Sequence, residues 1–538
     1  MTRPEPTARL GTHEVTNQPA APGDCDLWGD DPKLRAIVAA GAGQAEVLAA
    51  YGATMGTEEM REAARTANRS GPELKLFDAG GRRLDEVTFH PAYHRMMTTS
   101  AAAGYHSVAW EEAPGGHLTH AAMVYLASQI EPGHCCPLTM TYAAVPVLRA
   151  NGADGWADKL VSRDYDPAVR PLADKRGATL GMAMTEKQGG SDVRANATTA
   201  TRDGEDWRLT GHKWFCSAPM SDGFLTLAQT EAGLTCFLVP RWLEGGRNGF
   251  RLQRLKDKLG NRSNASAEIE YAEALAHRIG EEGRGVRTIV EMVHHTRLDT
   301  AMAPAGLMRA ALREAHHWAE HRTAFQRRLV DQPLMRSVLA DLTLDWLGSL
   351  TLGLRVARSF DDGSEEARAF ARIAVALAKF LSNKLCPGVV VEAMEVLGGM
   401  GYVDDTAMPM LYREAPLNGI WEGSGNVICL DALRTLAKEP LAREALQADL
   451  TAARGIDPAY DAAMQDHAAR WGRDVPEAEA RWFVERSATL LAASVLLREG
   501  DGEAASAYVR TRLGGERGRI SGALPAGAAD HVLDRSFA

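Results

Sequence analysis

Three stretches carry more Gly, hydroxyl, amide and charged residues than core packing needs. Ile420-Trp421-Glu422-Gly423-Ser424-Gly425-Asn426 places a carboxylate among small polar residues. At a loop-to-helix transition Glu422 can act as a general base, with free backbone N–H groups beside it for an anion. A helix N-terminal capping segment has the same composition. Thr185-Glu186-Lys187-Gln188-Gly189-Gly190-Ser191-Asp192 follows the apolar strand Leu180-Gly181-Met182-Ala183-Met184. Its glycines let a backbone approach a ligand closely, and Thr185 and Ser191 supply donors and acceptors to a ring with polar edges; a polar turn is the plainer reading. In Lys213-Trp214-Phe215-Cys216-Ser217, strand alternation puts Phe215 and Ser217 on one face. An aromatic beside a hydroxyl can stack on a planar cofactor and hydrogen-bond it, or simply close a core and an edge.

Two basic runs raise a different chemistry. Val509 to Arg519 holds Arg510, Arg512, Arg517 and Arg519 against Glu516 alone, and Arg251, Arg254, Lys256, Lys258 and Arg262 surround Asp257. Forked Arg contacts to phosphate give salt-dependent, sequence-independent affinity, whereas a solvated charged turn gives none. Helix-turn-helix and zinc-finger spacings are absent from the sequence. His317 and His321 share a helix face but lack the acidic residue of an HExxH site, so no metal is expected.

The elements that must position these residues fall into four segments. Residues 1–178 read as Ala-rich helices, 179–282 as short strands with turn signals at Asp203-Gly204 and Gly233, and 283–438 as a long-helix bundle broken at Leu397-Gly398-Gly399-Met400-Gly401. Residues 439–538 are helical again, with every basic residue an Arg and more acids than Arg.

Composition narrows the partners. Of 538 residues, 45% are apolar and 24% charged, enough for a large soluble core. The net charge of −10 gives no general attraction to nucleic acid or anionic lipid, so any polyanion must meet a local patch. Seven scattered Cys without CxxC pairs fit a reducing compartment, and neither a signal-type stretch nor a membrane-length apolar run is present, which predicts a cytoplasmic protein without a membrane partner.

Taken in order, the motifs resemble the acyl-CoA dehydrogenase superfamily. TEKQGGSD at Thr185, Phe215-Cys216-Ser217, Arg322-Thr323-Ala324-Phe325, LGGMGY at Leu397 and Trp421-Glu422-Gly423-Ser424 stand where the family has its strand-end loop, "WIT" strand, "RxxFG" helix, "LGGxGY" turn and "YEGT" loop. The combination TEKQGGSDV, GHKWF, RLKDKLGNRSNAS, MEVLGG and IWEGSGN, with Asn17-Gln18-Pro19 and the C-terminal extension, is similar to the AidB branch of alkylation-response flavoproteins.

The resemblance implies an α+β chain: an N-terminal helical domain, a central β domain, a helical bundle and an extra helical domain, assembled as a homotetramer around FAD. It assigns Met184, Thr185 and Ser191 to the flavin ring and phosphates. Phe215 replaces the usual Trp against the ring, and Ser217 the Thr that reaches N5. Arg322 and Phe325 meet the ADP half from a neighbouring subunit, Gly398 and Gly399 admit the pyrophosphate, and Trp421, Gly423, Ser424 and Asn426 complete the cofactor wall. Glu395 stands where many relatives have Gln, an acid that must either avoid the phosphate or pair with a base, for which Arg322 is the natural candidate. Glu422 aligns with the base that removes the α-proton of an acyl-CoA, its pKa raised by desolvation. Trp421 in place of Tyr narrows the acyl pocket, and the branch is associated with little acyl-CoA oxidation. Double-stranded DNA binding through Arg510, Arg512, Arg517 and Arg519 and a role against DNA alkylation are therefore expected. The alternatives are a metabolic acyl-CoA dehydrogenase and a flavin oxidoreductase acting on a non-CoA metabolite.

Overall fold

A computed structural model describes residues 6–500, 502–521 and 532–533 of the chain. The end of the predicted 439–538 extension lies outside the described residues.

The N-terminal part is a helical layer: α1 (Pro32–Ala40), α2 (Ala45–Met55), α3 (Glu58–Arg69), α4 (Pro91–Ala103), α5 (Gly116–Ser128), α6 (Cys135–Arg149) and α7 (Asp154–Leu160). Asp31 starts α1 by accepting the Leu34 N–H at 2.9 Å, and its other carboxylate oxygen takes the Tyr125 hydroxyl at 2.5 Å, tying α1 to α5. The residues of α5 are buried on every side, as its nearly all-round apolar sequence requires. This layer is not purely helical. An antiparallel hairpin of β1 (Glu73–Phe77) and β2 (Arg83–Thr88) interrupts it, and Leu74, Leu76 and Val87 pack against the core of the β domain. A two-stranded hairpin is marginal alone; that apolar cover holds it.

The β domain contains β3 (Leu180–Ala183), β4 (Thr199–Asp203), β5 (Asp206–Ser217), β6 (Gly223–Thr230), β7 (Gly233–Pro240), the short β8 (Trp242–Leu243) and β9 (Gly246–Arg247), then β10 (Phe250–Leu255) and β11 (Ser266–Ile279). β11 pairs with β5, β5 with β4, β4 with β6, β6 with β7, and β7 returns to the end of β11, so the strands close a ring. β3 joins it in parallel beside β6, and β10 flanks β11. Closure removes most unpaired edges. Turns form where the sequence signals them: Gly204 (φ +65°) between β4 and β5, and Gly233 (φ +111°) opening β7.

The bundle is built from α8 (Gly285–His321), α9 (Pro333–Asp361) and α10 (Glu365–Val396), with a small hairpin of β12 (Thr323–Ala324) and β13 (Arg327–Arg328) after α8. α10 is long and apolar enough to cross a membrane by composition, but most of it is buried within the protein, against α8 and α9 among others. It accommodates Pro387 in its interior and ends at the Gly398 turn. α11 (Met408–Glu414) and α12 (Gly425–Lys438) flank the Glu422 loop.

The extension supplies α13 (Pro440–Thr451), α14 (Pro458–Trp471), α15 (Ala480–Glu499), α16 (Gly502–Tyr508) and a π turn at Val509–Leu513. Its apolar residues Val484, Leu490, Leu491 and Leu496 join the same core cluster as the bundle helices. At about 1.5–3 kcal/mol for each fully buried Leu or Val, that shared core fixes the extension as an added layer of the bundle. Arg498 and Arg355 both reach Asp449, at 2.5 and 3.2 Å, reinforcing the seam between α15, α9 and α13.

Candidate active site

The TEKQGGSD loop and the KWFCS strand form one rigid unit. Glu186 and Lys213, both inaccessible to solvent, form an ion pair at 2.7 Å. Glu186 also accepts the N–H groups of Ala197 and Thr198 at 2.7 and 3.2 Å, while Lys213 donates to the Leu227 carbonyl at 2.8 Å. Burial works to raise the Glu186 carboxyl, but the Lys213 ammonium and these hydrogen bonds outweigh it and hold the group at about 2. The Trp214 N–H reaches the Thr185 carbonyl at 2.7 Å, and Asn196 donates to the Met184 carbonyl at 2.9 Å. Thr185 and Met184 are half-buried and Ser191 exposed at the tip.

On β5 the alternation is clear: Cys216 is fully buried, Ser217 half-buried, and the Phe215 ring 49% exposed. Phe215 and Ser217 therefore face an open surface that a planar group can cover. The Lys256 ammonium lies 4.7 Å from the Phe215 ring centre and 3.3 Å from that of Trp214. Arg254 and Lys256 both bind Glu268 at 2.6 Å, and the half-buried Lys258 donates to the Asn264 carbonyl at 2.8 Å.

Across the domain boundary stands the Glu422 loop. Glu422 itself has φ +57° and Gly423 φ +96°, two successive residues in left-handed backbone that swing the chain from a short helical turn into α12. Thr296 of α8 donates its hydroxyl to Glu422 Oε2 at 2.8 Å, and Arg297 Nε donates to the Glu422 carbonyl at 3.3 Å. Arg297 is fixed in turn by Asp431 at 2.6 Å, which also takes Arg372 at 2.8 Å. Lys379 of α10, buried, donates to the carbonyls of Asn418 and Gly423 at 2.8 and 3.0 Å, bracketing the loop from both sides. Trp421 donates its indole N–H to Asn418 Oδ1 at 2.6 Å and packs against the cluster between α6 and the β domain.

The electrostatics suit a base. Burial raises the Glu422 carboxyl above its usual range, opposed by the Thr296 hydroxyl and by the charges of Lys379 and Arg297. Burial, with Arg297 and Lys384 nearby, brings Lys379 down to about 7. Thr296 and Lys379 had no sequence signal of their own: each is an ordinary residue within a long helix, and only packing brings it to the loop. Just upstream, Glu414 at the end of α11 accepts the Asn261 N–H at 2.6 Å and its side-chain amide at 3.0 Å. Burial, with Glu131 nearby, pushes Glu414 up to about 7.

Phe325, at the tip of the β12–β13 hairpin, is 94% exposed, and a Cβ added to Gly398 or Gly399 would meet nothing within 4 Å. Arg322 donates to the Asn17 carbonyl at 2.6 Å. Ser424 stands at the N-cap of α12, but its hydroxyl makes no capping bond, leaving it open to a ligand. Asn426 accepts from Arg481 of α15 at 2.9 Å, which brings the extension against the start of this helix.

The four-Arg reading needs correction. The Arg512 side chain is 6% exposed and binds Asp341 at 2.7 Å and Asp345 at 2.8 Å, both on α9; Arg517 reaches Asp341 at 3.0 Å. Two buried acids far upstream take up these charges, leaving Arg510 and Arg519 exposed. The predicted patch is thus half its expected size.

Known proteins show the same organisation. The model of the adaptive response protein AidB N-terminal domain matches residues 17–167, that of the acyl-CoA dehydrogenase middle domain 181–274 and that of the acyl-CoA dehydrogenase C-terminal domain 283–437. AidB of Escherichia coli is 45% identical over 465 residues, 84% of this chain and 86% of that protein. The structure of Caenorhabditis elegans ACDH-11 in complex with C11-CoA superposes with a TM-score of 0.83 at 28% identity, covering 94% of this chain and 93% of that one. A Bacillus anthracis acyl-CoA dehydrogenase complexed with FAD shares the fold, with a TM-score of 0.64 at 15% identity over 83% and 84% of the two chains. The chain belongs to the acyl-CoA dehydrogenase family, in its AidB branch.

Proposed function

We propose that this protein is an FAD-dependent flavoprotein of the AidB type, with Glu422 as a base toward an acyl-thioester or related substrate. The observation that carries the reading is the Glu422 carboxyl itself: burial raises it, Thr296 orients it, and Lys379 and Arg297 fix its loop. FAD fits the residues present. The half-exposed Phe215 ring beside Ser217 suits one face of an isoalloxazine, and the open turn at Gly398 and Gly399 suits a pyrophosphate. Bound there, FAD supplies a hydride acceptor; the chain's own part is to hold the substrate, exclude water and take a proton at Glu422. The nearly bare Phe325 supports a homotetramer in which this ring meets a cofactor of a neighbouring subunit. The free cysteines support a cytoplasmic setting. The test is an anaerobic panel of acyl-CoA esters against the purified protein: bleaching of the flavin that Glu422→Gln slows about 100- to 10,000-fold supports the role, and equal bleaching in both removes Glu422 from it.

Similarity to AidB favours a second role, binding of double-stranded DNA in the response to alkylation. With Arg512 and Arg517 committed to Asp341 and Asp345, that role rests on Arg510, Arg519 and surfaces elsewhere. A salt-dependent mobility shift, run beside the acyl-CoA panel, separates an AidB-type protein from a metabolic dehydrogenase.

A further inference from the structure

One buried cation lies outside everything described so far. Arg241, directly after β7, is 7% exposed, and among the described residues its guanidinium forms no hydrogen bond or ion pair. It lines an open-mouthed cavity between the helical layer and the end of the β ring. The acids nearest to it already hold other cations: Glu86 holds Arg247 at 2.6 Å, Asp222 holds Lys175 at 3.0 Å and Asp85 holds Arg83 at 2.7 Å. Asp166, also on the wall, holds Arg170 at 2.7 Å. Each of these carboxylates thus has a cation of its own, and Arg241 is the one named cation without a carboxylate partner. His94, 2.9 Å from the Tyr165 hydroxyl, is pushed down by burial and adds no charge near neutrality. The Trp242 indole N–H, in the same wall, is buried without a partner.

A guanidinium that faces a cavity without a hydrogen-bond partner in the protein is a ready partner for an anion. Val87, Phe89, Tyr93, Met97 and Met220 supply the apolar remainder of the wall. We propose that this cavity binds an organic monocarboxylate, with the carboxylate on Arg241 and the apolar body against Phe89, Tyr93 and Met220. Glu86, Asp166 and Asp222, which line the same wall, select against a dianion. A planar carboxylate matches the guanidinium fork, and the apolar wall selects against an inorganic anion. Thr185, Phe215, Ser217 and Glu422 do not line the cavity, so it is distinct from the candidate active site.

Calorimetric titration of the flavin-loaded protein with hexanoate, 4-bromobenzoate, hexanol and inorganic phosphate tests this. Saturable binding of the two carboxylates is expected, with hexanol and phosphate weaker by about 10- to 100-fold, the value of a charge-assisted hydrogen bond. Arg241→Met should weaken hexanoate by a similar factor, while Arg241→Lys, which keeps the charge and loses the fork, retains part of the affinity. Independently of whether Arg241→Met folds, crystals soaked in 4-bromobenzoate should show bromine in this cavity. Phosphate binding as tightly as hexanoate, unchanged affinity in Arg241→Met, or bromine beside Glu422 instead would each overturn the proposal.

Discussion

The hydroxyl of Thr296 donates to Oε2 of Glu422 at 2.8 Å, joining the middle of α8 to a loop 126 residues further along the chain. The bond stabilises the ionised carboxylate, against the burial that raises it. Replacing Thr296 by Val removes the donor while preserving shape. The acid limb of the pH profile for substrate-dependent flavin reduction should then move to higher pH, with the rate recovering at alkaline pH. A profile that keeps its position and only drops in height would show that Thr296 acts on packing alone.

Glu186 and Lys213 predict a defect in cofactor retention. Lys213→Met leaves a buried carboxylate without its ammonium and should cost about 3–5 kcal/mol in urea unfolding. The double variant Lys213→Met/Glu186→Gln should recover a large part of that loss. Because the pair joins the Thr185 loop to the Phe215 strand, the single variant should also purify with less flavin; full occupancy by absorbance would separate the pair from cofactor binding.

Arg512 and Arg510, two residues apart, should behave oppositely. Arg512→Ala leaves Asp341 and Asp345 to Arg517 alone and should lower stability by up to about 3–5 kcal/mol, whereas Arg510→Ala with Arg519→Ala should leave the melting temperature within about 2 °C. If the protein shifts a DNA duplex through this surface, the exposed pair should weaken the shift and flatten its salt dependence.

Glu414 makes a stability prediction whose sign is unusual for a carboxylate. Its folded pKa is about 7 against 4.5 for the free group, so between these values the native state holds the extra proton. Its contribution is therefore greatest below pH 4.5 and is lost as pH rises to 7, a change of about 3 kcal/mol. Glu414→Gln removes this dependence. The unfolding free energy of the variant should gain on that of the parent across this window, and parallel curves would count against the assignment.

The sequence made some of this legible and hid the rest for identifiable reasons. Phe215, Cys216 and Ser217 obey a period of two that can be read directly, and the glycines around Glu422 mark a turn before any coordinates exist. The long helices of the bundle are equally plain from their apolar spacing. Residues whose role depends on distant partners were not readable. Arg512 looks like a free cation until Asp341 and Asp345 are folded against it, and Arg241 looks like an ordinary strand end until the acids around it prove to be taken. The β1–β2 hairpin was missed because its strands are short and half polar; its stability comes from Leu74, Leu76 and Val87 covering another domain.

The backbone at Glu422 has a consequence for how activity is gained and lost. A left-handed φ is a conformation in which any side chain is strained and glycine is not, by about 1 kcal/mol or more. Glycine at this position would leave the loop, its Lys379 bracket and the start of α12 undisturbed while deleting the carboxylate. Chemistry and architecture are thus separable at a single codon: a lineage could silence the proton transfer without harming the fold, and could keep the fold for another task. Variation at position 422 among close relatives would then report on retained catalysis more directly than variation anywhere else in the loop.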